Sequence, residues 1–180
     1  MERTIGREDL DILPDPDLEW RSFTEETECE FVRTVEKTHE NTLDCPKLND
    51  GGRVRERLTG YRRAASFRPE LWMLGRIGDE PAACLLLNLH PEDESCELAY
   101  VGVVPEHRGK GLGLKAMEKA LHVLAERESP KRLWLAVDRA NAPATKTYDR
   151  LGFCVYDRRV VYFSLLARAR DGVGDVSEKS

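Results

Sequence analysis

Between Val101 and Val137 the chain reads as an apolar strand, a glycine-rich loop, an amphipathic helix and a second apolar strand, and this order restricts the fold more than any other stretch. Gly102-Val103-Val104 closes the first strand, and Arg108-Gly109-Lys110-Gly111-Leu112-Gly113 forms the loop. Leu114, Met117, Leu121 and Leu124 then recur at helical spacing, and residues 133–137 form a continuous apolar run. Strand, helix and strand in this order join as a right-handed crossover, which predicts parallel neighbours carrying Val101 and Leu135. The loop then falls at the carboxyl end of its strand, where open sheets place ligands.

Glycines at alternate positions in that loop let the backbone pass close to a ligand and adopt φ values that other residues avoid. The first amides of the following helix have no intrahelical partners, and its dipole adds positive potential, so the loop predicts an anion site. Arg108 and Lys110 supply countercharge. By itself this is a generic anion site, matching neither the Walker pattern nor the dinucleotide fingerprint.

Elsewhere, residues 18–23 predict a strand, and Thr24 caps a helix over 25–38. Pro46, Asn49, Asp50 and paired glycines make 40–52 a loop before a second helix over 53–65. Strands over 71–77, 82–89 and 96–104 follow as a hairpin-linked meander. After the crossover, a short helix spans 141–151, and 153–156 with 159–166 predict a closing pair of strands. The chain divides into a lead-in over 1–17, one domain over 18–166, and a polar tail over 167–180 expected to be disordered.

A length of 180 residues suits a single core, and the net charge of -5 argues against nucleic acid as the main partner. The arginines at 53, 55, 57, 62 and 63 read as a solvated face or as an anion-binding patch. No stretch reaches the roughly 18 apolar residues needed to cross a bilayer, and no signal peptide is evident, which predicts a cytoplasmic protein without a membrane partner. Five scattered cysteines indicate neither a disulfide framework nor a zinc site, so no metal is expected; Cys84 and Cys96 are either free thiols or a pair facing across a hairpin.

Three signatures stand in order along residues 71–166: VGVVPEHRGKGLG, LAVDRANAPA and TYDRLGF. Together they resemble the GCN5-related N-acetyltransferases (GNAT), an acyl-coenzyme A-dependent superfamily. The resemblance implies an α/β (α+β) fold: a mixed six- to seven-stranded sheet with a splayed parallel pair at its centre, flanked by about four helices. It implies acetyl-coenzyme A as co-substrate and a small-molecule or peptide amine as acceptor, and a homodimer is in keeping with the family. The amides from Arg108 through Gly109, Lys110, Gly111 and Leu112 to Gly113 become the pyrophosphate cradle, and the backbone at Val103 the rest for the pantetheine arm. Gly102 suits the bulge that opens the slot. Asn141 reads as a pantetheine contact or as a helix cap.

Attack of an amine on a thioester needs a proton acceptor, an oxyanion site and a donor to the leaving thiolate. Tyr148 matches the family tyrosine that protonates sulfur; the alternative is a core tyrosine. Glu97 is the candidate base, lying six residues before Val103 on one strand, so that at period two the side chains share a face. Glu106 and His107 are substitutes for it, or members of a solvated turn. Asp44 and Cys45 fall in the loop that covers the acceptor in this family, and His39 reads as a surface histidine. Trp20, Trp72 and Trp134 read as core. Two other readings stay open: a coenzyme A-binding sensor or scaffold without turnover, and a transferase using a longer acyl donor.

Overall fold

The computed structural model describes residues 1–13, 15–44, 54–64 and 66–160, with the side chain of residue 64 excluded. Its strands are β1 (Glu2–Thr4), β2 (Glu19–Ser22), β3 (Trp72–Ile77), β4 (Glu80–His90), β5 (Ser95–Val103) and β6 (Arg132–Trp134). Its helices are α1 (Glu28–His39), α2 (Val54–Ala64), α3 (Leu112–Ala125) and α4 (Ala142–Arg150). The strands form one mixed sheet in the order β1-β6-β5-β4-β3-β2, in which only β5 and β6 run parallel.

The apolar run in β4 reflects burial on both faces. Leu85 and Leu87 point to the α3 side with Met117, Leu121 and Leu124, while Cys84 and Leu86 point to the α1–α2 side with Phe31, Val35 and Leu58. This alternation also settles the cysteine question. Cys84 and Cys96 lie on opposite faces as free thiols, and burial pushes each up to about 12. On the second helix, Arg55 and Arg62 pair with Glu28, and the Arg62 guanidinium lies 4.4 Å from the Phe23 ring centre.

Two helix starts differ from expectation. Thr24 and Thr27 exchange side-chain bonds to each other's amides at 2.9 and 3.3 Å, so their turn stands before α1, which begins at Glu28. The third helix begins at Leu112, inside the glycine loop, because Gly111 takes the cap position.

The lead-in contains a strand that three residues are too few to announce by periodicity. β1 pairs antiparallel with β6, and on its other side Glu2 exchanges two backbone bonds of 2.9 Å with Cys154. Arg3 holds it by a 2.7 Å ion pair to the buried Asp9, which also accepts from the Gly6 amide. The expected strand over 153–156 is therefore a single bridge to Glu2, and residues 159–160 carry no strand. Residues 161–166 of the last expected strand, the tail, Cys45 and Arg53 lie outside the described residues.

Candidate active site

The parallel pairing of β5 and β6 stops early. Ser95, Cys96 and Glu97 face Arg132, Leu133 and Trp134, and pairing goes no further. At Leu135 the amide donates to the Met1 carbonyl and the carbonyl accepts from the Met1 ammonium, both at 2.9 Å. Leu135 thus continues the β1 side of the β6 ladder, while on the β5 side no pairing follows Glu97 and Trp134. Val104 N–H donates to the Ala82 carbonyl at 3.0 Å, so the backbone of Val103 turns its own groups away from β4, toward the gap.

A bulge in β5 changes which residues share a face. Leu87 pairs with Leu98 but Leu86 with Tyr100, leaving Ala99 as the extra residue. Glu97 stands opposite Asn88, whose side-chain amide donates to the Tyr61 carbonyl at 3.0 Å, so Glu97 lies on the α1–α2 face. Beyond the bulge Val101 and Val103 pack toward α3. Glu97 and Val103 therefore do not share a face, because the extra residue inverts the alternation. Gly102 is also not the bend. A Cβ there would lie 2.7 Å from Thr38 Oγ1 and 2.9 Å from the Tyr100 ring, so glycine is required by the close approach of α1.

The loop after β5 has the geometry expected of an anion cradle. Gly109 and Gly111 take φ of +73° and +83°, the left-handed region that favours glycine. The amides of Gly109, Lys110 and Gly111 make no hydrogen bond to the backbone of a described residue, and the first-turn amides of α3 follow them. Among the described residues, no atom beyond the chain neighbours and the backbone of α3 lies within 4 Å of a Cβ built at Gly109, Gly111 or Gly113, which leaves that side of the backbone open to a ligand.

Arg108 has a different task from the expected countercharge. Its guanidinium donates to the carbonyls of Val103 (3.0 Å), Thr38 (2.9 Å), Glu40 (2.7 Å) and Asn41 (3.4 Å), and its own amide to Pro105 (3.2 Å). It caps the carboxyl end of α1 and fastens it to the end of β5. Lys110 remains as the exposed cation of the loop. Glu106 pairs with Lys37 at 3.0 Å, and His107 Nδ1 is buried without a hydrogen-bond partner.

On the α3 side of the gap, Tyr148 packs in the main core, its ring 5.7 Å from Phe153. Burial pushes its hydroxyl pKa up, the Asp44 carboxylate adds to the push, and the hydroxyl bonds to no described residue. Asp44 acts in the same direction on Tyr61 and Tyr100, both on the α1–α2 side. Asp44 Oδ1 accepts from the Asp138 amide at 3.1 Å, tying the segment after α1 to the loop before α4. Asn141 caps α4 through the Ala144 amide at 3.3 Å.

His39 is half-buried rather than a free surface residue. Desolvation, helped by Arg57, lowers its pKa from 6.5 to about 4, and its ring meets Tyr100 edge-on at 5.6 Å. The crevice that His39, Leu58, Tyr61 and Tyr100 help to line encloses about 10 Å³, room for one water. Trp72 is core, but Trp134 is only partly buried and stacks at 5.7 Å on His90, at the point where the strands part. Nothing in the sequence singled out His90, because its link to Glu97 depends on the strand register. No group of metal-ligating side chains occurs among the described residues, and none of their helices is long and apolar enough to cross a membrane.

The family model described as "Acetyltransferase (GNAT) family" matches residues 18–153. Mycothiol acetyltransferase of Corynebacterium efficiens is 35% identical over 112 residues, covering 62% of this chain and 37% of that protein. Streptothricin acetyltransferase of Streptomyces lavendulae is 45% identical over 53 residues, covering 29% of this chain and 28% of that one. The chain thus spans well under half the length of either relative. Among solved structures, one from Arabidopsis thaliana in complex with the bisubstrate analogue CoA-Ac-MVNAL has a TM-score of 0.59 at 18% identity, over 78% of this chain and 85% of that one. At that identity the likeness is one of fold.

Proposed function

Because the chain belongs to the acetyltransferase (GNAT) family, we propose that it transfers an acetyl group from acetyl-coenzyme A to a primary amine by direct attack within a ternary complex. The observation that carries this reading is the pairing of an open amide cradle with a sheet that parts beside it. The loop fits the donor: the unbonded amides of Gly109 to Gly111, the first turn of α3 and Lys110 suit a pyrophosphate. The Val103 amide on the edge that faces the gap suits an extended amide-bearing arm, its carbonyl already accepting from Arg108 at 3.0 Å. Bound there, acetyl-coenzyme A supplies the acetyl group as a thioester open to attack by an amine.

The protein's own groups divide the proton work. Glu97, at the vertex of the gap and on the face that α1 and α2 cover, takes the proton from the attacking amine. Tyr148, reaching the gap from the other face, gives a proton to the departing sulfur; burial keeps its hydroxyl protonated throughout the working pH range. Asp44, between the two faces, is proposed to orient the acceptor. The names of the relatives, mycothiol acetyltransferase and streptothricin acetyltransferase, favour a small molecule over a peptide as that acceptor.

Thiol release from acetyl-coenzyme A with a panel of amino acids, aminosugars, polyamines and short peptides tests this directly. Amine-dependent release matched by acetylated amine in the mass spectrum is expected, and Tyr148→Phe should lower kcat by about 10² or more while leaving coenzyme A affinity nearly unchanged. Binding without amine-dependent release would favour the sensor reading. Unchanged turnover in the variant would remove Tyr148 as the acid.

A further inference from the structure

Glu97 does not stand alone at the vertex. His90, Glu97 and Trp134 cluster on the α1–α2 face of β4, β5 and β6: Glu97 stands beside Trp134, and His90, opposite Ser95, reaches both diagonally. His90 Nε2 lies 3.5 Å from Glu97 Oε2, is sealed from solvent, and has no hydrogen-bond partner among the described residues. Nδ1 of the same ring is not among the buried polar atoms and bonds to no described residue, so it meets solvent. His90 also lines an open groove of about 300 Å³ together with Arg63 of α2, Ser66, and Glu92 and Asp93 of the turn after β4. One edge of the imidazole thus faces the carboxylate and another part of the residue borders a groove leading to water.

We infer that His90 is the proton exit of the site, a positioning and relay residue that acts through Glu97. The inference rests on the reading of Glu97 as the base. The amine proton passes to Glu97 Oε2 as the new C–N bond forms, and then to His90 Nε2, restoring the carboxylate. The imidazolium loses its Nδ1 proton to water in the groove. A half-turn of the ring about Cβ–Cγ then brings Nε2–H to the groove, where water takes that proton and another returns to Nδ1, and the reverse turn restores the tautomer with Nε2 unprotonated. The Trp134 ring borders the imidazole at 5.7 Å, tilted by 43°. Groups that set the local charge around the imidazole are Glu97 from β5, Arg63 from α2, and Glu92 and Asp93 beyond β4.

The test is steady-state acetyl transfer by the full chain, using wild type, His90→Ala, His90→Gln, Glu97→Gln and the double variant His90→Ala/Glu97→Gln, with folding checked by thermal melting. A wild type without amine-dependent turnover would refute the proposed function itself and is distinguishable from everything that follows. With an active wild type, His90→Ala should lose on the order of tenfold in kcat, leave both KM values within about twofold, and recover in part when imidazole is added to the buffer. Adding His90→Ala to Glu97→Gln should cost nothing more, since the relay has no proton to carry. If His90→Ala does not fold, His90→Gln keeps the bulk without the relay, and its loss should vanish in the Glu97→Gln background. An unchanged kcat, a loss that imidazole does not restore in folded His90→Ala, or losses that multiply in the double variant would each overturn the inference.

Discussion

Gly102 and His39 show how closely single residues are constrained by the approach of α1 to β5. Thr38 Oγ1 lies 2.8 Å from the Tyr100 hydroxyl and donates to the Val35 carbonyl at 2.7 Å, so it has little freedom to yield. Gly102→Ala should therefore destabilise the fold by about 1–3 kcal/mol, read as a lower denaturant midpoint; an unchanged midpoint would mean that α1 can move aside. His39 gives a pH dependence with a definite sign. Its folded pKa lies below its ordinary value, chiefly through desolvation, so the unfolded chain binds that proton more readily. The stability it protects is complete above 6.5 and falls as pH drops toward 4. His39→Gln should flatten the melting temperature over this window, and an identical slope in both proteins would contradict the assignment.

At the level of elements, Arg108 joins what would hold the donor to what would cover the acceptor. Four carbonyls from α1, the segment after it and β5 converge on one guanidinium, a geometry that a lysine ammonium cannot reproduce. Arg108→Lys should cost about 1–3 kcal/mol of stability despite keeping the charge. A variant as stable as wild type would return Arg108 to the role of simple countercharge. The sequence showed the glycine loop, the strand before it and the helix after it, because these carry local patterns: alternate glycines, an apolar run, a helical period; it showed the next strand only in part, since β6 spans Arg132–Trp134 rather than 133–137 and Leu135 does not pair with β5. It did not show that Arg108 faces inward, since its partners are backbone carbonyls some seventy positions earlier. The bulge at Ala99 was also hidden, and with it the true face of Glu97, because one extra residue leaves no mark in composition. β1 was too short to register, although its three residues pair with the whole of β6.

Across the whole molecule, the single parallel pair organises everything else. The sheet opens where the β5–β6 pairing ends at Glu97 and Trp134, the glycine loop stands at the end of β5, and Asp44 with Asp138 links the segment after α1 to the loop before α4. The crevice under α1 and α2 holds about one water, so an acceptor entering there, as the proposed function has it, would require α1, α2 or their side chains to shift. On the donor side the amides of Gly109 to Gly111 make no backbone hydrogen bond to a described residue, and the Cβ positions of the loop glycines are uncrowded by described residues. The most direct measurement is therefore calorimetric titration of coenzyme A into wild type and Gly111→Val, the variant that places a β-branched residue at φ +83°. The account predicts saturable binding to the wild type and a loss of about tenfold or more, near 1.4 kcal/mol, in a variant that still melts cooperatively. Equal affinity in the two proteins would contradict the pyrophosphate cradle on which the rest depends.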